Sequence, residues 1–69
     1  MDTFQVVIQR AQGQSERFFD TESQARDYYD GVEAAIWVEL RILTDSERTD
    51  QYGGTIQNVE ALSSSSVRL

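Results

Sequence analysis

The stretch Ile36-Trp37-Val38-Glu39-Leu40-Arg41-Ile42-Leu43 decides the fold of this chain. Ile36, Val38, Leu40 and Ile42 alternate onto one side, and Trp37, Glu39, Arg41 and Leu43 onto the other. A period of two sustained over this length predicts a β-strand. The first side is wholly apolar, so something must pack on it. The segment just upstream supplies a candidate. Ala25, Tyr28, Tyr29 and Val32 recur at i, i+3, i+4 and i+7, the spacing of one apolar helical stripe. Thr21 stands where an N-cap belongs, and Gln24 three residues later completes a capping-box pattern. Asp20 and Glu22 fall at the positive end of the helix dipole, and Gly31 suits a left-handed C-terminal stop.

Working outward, Phe4, Val6 and Ile8 alternate against Gln5, Val7 and Gln9, which predicts a first strand. Ala11-Gln12-Gly13-Gln14 reads as a hairpin turn and Ser15 to Phe19 as the returning strand. Adjacent Phe18 and Phe19 must point to opposite faces. Thr44 to Arg48 reads as a second turn, and Thr49 to Tyr52 as the start of a strand broken at Gly53-Gly54. Residues 55–62 fit a helix by Ile56, Val59 and Leu62, and a strand by β-branched content. A strand is taken. The expectation is an α+β domain over residues 1–62, an antiparallel sheet with one helix on one face in ββαββ order. Residues 63–69, opening on four serines, are expected to form a mobile C-terminal tail.

Composition narrows the chemistry. With 69 residues and no Cys, the chain has neither a disulfide nor a thiolate metal site, and it has no His. General acid–base catalysis near neutral pH would need a carboxylate raised by burial, yet the carboxylates read as turn, cap or surface positions. No nucleophile elbow or phosphate-cradling glycine loop occurs. Asp45, Glu47 and Asp50 loosely suggest an oxygen-ligand loop, but Asp50 stands where a calcium loop needs Gly. The reading is therefore non-enzymatic, with no catalytic residue, cofactor or metal. The start of the chain carries no signal-peptide pattern, and the longest apolar run is far shorter than the ~20 residues of a membrane span, so a cytoplasmic protein is expected.

Charge carries more information. Twelve acids face six bases, for a net charge of −6. Asp20, Glu22, Asp27, Asp30 and Glu33 outweigh Arg26, and Asp45, Glu47 and Asp50 outweigh Arg48. Elsewhere acids and arginines balance, so the whole surplus comes from two short segments. Such a field repels nucleic acid and anionic membranes and steers a cationic protein partner. Carboxylates at i, i+3 and i+4 on a helix lie about 5–6 Å apart at Cβ, close to the spacing of neighbouring phosphates. These eight acids are the candidate partner-binding surface. An acidic inhibitor occupying a basic nucleic-acid-binding site is the first functional expectation. The second is a self-associating module, a homodimer joined through a sheet edge or through the open sheet face at Val7, Trp37 and Leu43.

The run Arg17-Phe18-Phe19-Asp20-Thr21-Glu22-Ser23-Gln24-Ala25, a strand passing into a capped helix, lies in a very short, acidic, cysteine-free chain. In size, charge and strand–strand–helix–strand order the chain resembles the small phage-encoded anti-CRISPR proteins. The resemblance implies a CRISPR effector complex as partner and the host cytoplasm as location. It carries over no functional residue.

Overall fold

The computed structural model describes residues 2–68, apart from the side chains of Ser46, Glu47, Arg48 and Arg68. Strands β1 (Thr3–Arg10) and β2 (Gly13–Phe19) form a hairpin. Helix α1 (Glu22–Gly31) follows, then β3 (Ala35–Thr49) and β4 (Thr55–Arg68). All neighbours pair antiparallel, in the order β2-β1-β3-β4. The architecture is thus a small α+β fold with one helix on a four-stranded sheet.

The alternation across residues 36–43 does its expected work over most of its length. Val38 and Leu40 are fully buried beside Phe4, Val6 and Ile8 of β1, and Ala25, Tyr29 and Val32 of α1 close over them. Burying each large aliphatic side chain contributes about 1.5–3 kcal/mol, which drives the helix onto this face. Ile36 departs from expectation. It is 52% exposed, and its neighbour Ala35 joins the core instead. The chain enters β3 through Ala34, whose φ is +54°, so the first residues of the strand sit at the margin of the helix cover.

Thr21 caps α1 as expected, its hydroxyl accepting from the Gln24 N–H at 3.2 Å. Gly31 does not adopt the left-handed conformation. The helix runs through it and ends on extended Val32, whose N–H donates to the Tyr29 carbonyl at 3.4 Å. The left-handed residue is Ala34, three positions on.

The second hairpin differs most from expectation. Residues 44–48 form no turn, because β3 continues to Thr49. The reversal spans Asp50 to Gly54. There the Asp50 carboxylate accepts from the Tyr52 and Gly54 N–H groups at 2.8 and 2.9 Å, and Gly53 adopts φ +83°. An Asp that bonds its own backbone ahead of a left-handed Gly outcompetes a merely polar stretch as turn former. The serine run 63–66 belongs to β4 rather than to a tail beyond the domain, with Ser63 to Ser66 opposite Leu40 to Trp37. Small hydroxyl side chains fit beneath the helix there. Ser65 Oγ lies 2.6 Å from Tyr29 Oη, and Arg26 donates to Ser63 Oγ at 3.4 Å. Residues 55–62 are strand.

Pairing with β1 stops at Leu43, opposite Thr3. From Thr44 onward β3 pairs with β4 alone, and the two strands form an arm that extends the molecule to 43 × 25 × 14 Å. Phe4 is opposite both Phe19 and Ile42, so the arm leaves the sheet at the end where α1 begins.

Candidate functional site

Two surfaces compete as the working part of the molecule. On the helix, the Ala25–Val32 stripe fixes the rotation of α1. The acids Asp20, Glu22, Asp27, Asp30 and Glu33 are all exposed. Arg26 pairs with Glu22 at 3.3 Å, across one helical turn, where an ion pair contributes little. Its guanidinium also reaches Ser63, so part of its charge is drawn back toward β4. Glu33 lies past the helix end, and its carbonyl accepts from Arg10 at 3.4 Å. Arg10, Asp27, Tyr28, Gly31, Val32 and Glu33 line a wide, shallow depression of about 390 Å³. Arg17 stacks over the Tyr28 ring, 5.2 Å from its centroid, and Phe19 packs against the same ring at 5.4 Å. Tyr28 is therefore held half-buried between helix and sheet.

The structure does not gather the second acidic segment into one turn. Asp45 is exposed on the arm strand, and Asp50 caps the reversal with its own carboxylate. The Glu47 side chain lies outside the described residues. Among the described residues no three acids converge as metal ligands would. The acidic surface is thus Asp27 and Asp30 on the outer helix face, Glu22 on its flank, Asp20 and Glu33 beyond the helix ends, and single acids along a projecting arm.

The other surface is the open face of the sheet. Val7, Trp37 and Leu43 do lie there with Phe18, but they form no bare apolar patch. Val7 is 1% exposed and Leu43 9%. Polar side chains close over them. Gln5 donates to Glu16 at 2.5 Å, Arg41 binds Glu39 at 2.7 Å, and the same guanidinium lies 5.8 Å from the Trp37 ring centroid. The Arg41 stem covers apolar surface while its guanidinium stays partly in water, and Gln5, 8% exposed, is buried with its amide satisfied by Glu16. Sequence alternation places these residues on one face but carries no signal for how their tips interlock. Phe18 and Val59 are the large apolar groups of this face that stay more than half exposed.

Comparison with protein-family models, with curated proteins and with solved structures finds no match. The functional reading therefore rests on this chain's own geometry. No helix among the described residues is long and apolar enough to cross a membrane.

Proposed function

We propose that this is a non-enzymatic interaction protein that presents the outer face of α1 to a basic, nucleic-acid-binding surface of a protein partner. The observation that carries the reading is the exposure of Asp27 and Asp30 opposite the stripe that α1 locks into the core, with Glu22 on the flank and Asp20 and Glu33 exposed just beyond the helix ends. A helix held this way displays its carboxylates from fixed backbone positions, so binding orders side chains but no backbone. Spacings near those of phosphates suit the arginine-rich grooves of nucleic-acid enzymes, a CRISPR effector complex among them. The face around Trp37 supports a docking role less well, because its apolar groups are already covered.

The test is capture of proteins from nuclease-treated bacterial lysate on the immobilised protein. A partner of the expected kind is retained at about 50 mM salt, released by about 200 mM, and displaced by added duplex DNA. Asp27→Asn combined with Asp30→Asn weakens its retention by roughly 2- to 30-fold, at about 0.2–1 kcal/mol per exposed charge contact. Retention indifferent to salt, to DNA and to these substitutions overturns the proposal.

A further inference from the structure

The arm poses a structural problem that the acidic helix does not address. Beyond Leu43 it is a two-stranded ribbon, and isolated two-stranded hairpins are marginal in water. Its outer strand, β4, is also the last strand of the sheet, so the β4 edge facing away from β3 has no strand beside it among the described residues. Unpaired edges template strand addition unless charged side chains (Lys above all), Pro, a bulge or inward-pointing charge blunt them. Residues 55–61, Thr-Ile-Gln-Asn-Val-Glu-Ala, contain no Lys, no Pro and a single charge, Glu60. The bulge of β4 comes later, at Leu62, between the Arg41–Ala61 and Leu40–Ser63 pairs. The irregularity between Asp45 and Thr49 lies on β3. Seven exposed residues therefore run from the turn to the bulge, with the β3 irregularity opposite Ile56.

We propose that the edge of β4 over Thr55–Ala61 is a self-association seam, where a second copy of this chain adds antiparallel, strand to strand, about a two-fold axis at Asn58. Charge selects the occupant. A chain of net charge −6 repels its own copy at most surfaces, but residues 55–61 carry a single charge, Glu60. The register that pairs this segment entirely with itself sets Asn58 opposite Asn58, Gln57 opposite Val59, Ile56 opposite Glu60 and Thr55 opposite Ala61. No charge then faces a like charge across the seam. The acids of β3 stand three strand spacings apart, about 14 Å, beyond the Debye length of about 8 Å in physiological salt. Antiparallel pairing adds about one hydrogen bond per residue, about seven in all. Val59, 57% exposed, and Ile56, 37% exposed, gain cross-strand neighbours. The two arms become one four-stranded sheet, and both acidic helices lie on the same side of it. The seam does not depend on what the helices bind.

Sedimentation velocity from about 5 to 500 μM tests the seam, with Asn58→Asp and Asn58→Lys as exposed substitutions and circular dichroism as the check on folding. Wild type shows a monomer–dimer equilibrium within that range. Each variant alone dissociates at least tenfold more readily, since like charges then meet at the axis. An equimolar mixture of the two variants recovers dimer at or below the wild-type dissociation constant. A wild type monomeric throughout, variants that dimerise like wild type, or a mixture no tighter than either variant alone overturns the proposal. Loss of partner capture with the dimer intact counts against the acidic-helix reading and leaves the seam standing.

Discussion

Leu40 and Leu43 stand three residues apart on β3 but on opposite faces of the sheet, and truncating each to Ala separates two kinds of burial. Leu40 is 0% exposed, enclosed between the central strands and α1. The helix is anchored there by Tyr29 and Val32, so the cavity left by Leu40→Ala has little room to collapse. Leu→Ala costs in rigid cores span about 2.7–5.0 kcal/mol, rising with residual cavity volume, and Leu40 belongs near about 4. Leu43 is 9% exposed, at the last β1 pairing position on the open face. Its surroundings are side chains at the margin of the sheet, free to settle into the space, so Leu43→Ala belongs near about 2–3 kcal/mol. A chain of 69 residues has about 3–10 kcal/mol of total stability, so Leu40→Ala removes much of it. Urea unfolding followed by circular dichroism, with trimethylamine N-oxide present to keep both variants folded, gives the difference directly. With a urea slope near 1 kcal/mol per molar, the midpoints should differ by about 1–2 M. If Leu43→Ala costs as much as Leu40→Ala, the open face is a rigid core and the pliant polar cover described above is wrong.

Four other outcomes follow from the same contacts. Thr21→Ala removes the hydroxyl that accepts from Gln24 and should lower stability by about 1 kcal/mol, read as a fall of several degrees in Tm. Asp50→Ala frees the Tyr52 and Gly54 N–H groups, so amide exchange in the arm should accelerate while that of Val38 and Leu40 stays protected. Arg41→Ala uncovers the only Trp of the chain, so the Trp37 emission should shift to the red and acrylamide quenching should rise, at a stability cost of about 1–3 kcal/mol, since the largely buried Glu39 carboxylate loses its partner. Asp27→Asn with Asp30→Asn should leave the melting temperature unchanged or slightly raised at low salt, because it relieves repulsion on an exposed face.

The reading of the second half of the chain shows where local pattern stops being informative. Residues 44–49 hold no apolar residue, so nothing in them announces a strand. They run as strand because β4 lies beside them, pairing with Thr44, Asp45 and Thr49 through the backbone, and backbone pairing is indifferent to side-chain polarity. The serines at 63–66 look like a tail for the same reason. Their register against Trp37 to Leu40 is a long-range fact. Even the turn signal was present, in Asp50 ahead of Gly53, but the strand must first continue through polar residues to reach it. Likewise the Ile36 side chain fits the core pattern, and only the entry of the chain at Ala34 gives its place to Ala35.

The sequence by itself determined what short-range periodicity and capping can encode. That covers the Phe4–Ile8 and Val38–Leu40 alternations, the Ala25–Val32 stripe with its Thr21 cap, and the outward rotation of Asp27 and Asp30 that follows from that stripe. It also determined the uneven charge and the absence of Cys and His. Tertiary structure alone decided the strand order, the length of the arm, the bare β4 edge and the polar cover over Val7 and Leu43. Those features depend on which segments meet across long loops of chain, and backbone pairing, unlike a hydrophobic stripe, leaves no mark on the residues that make it.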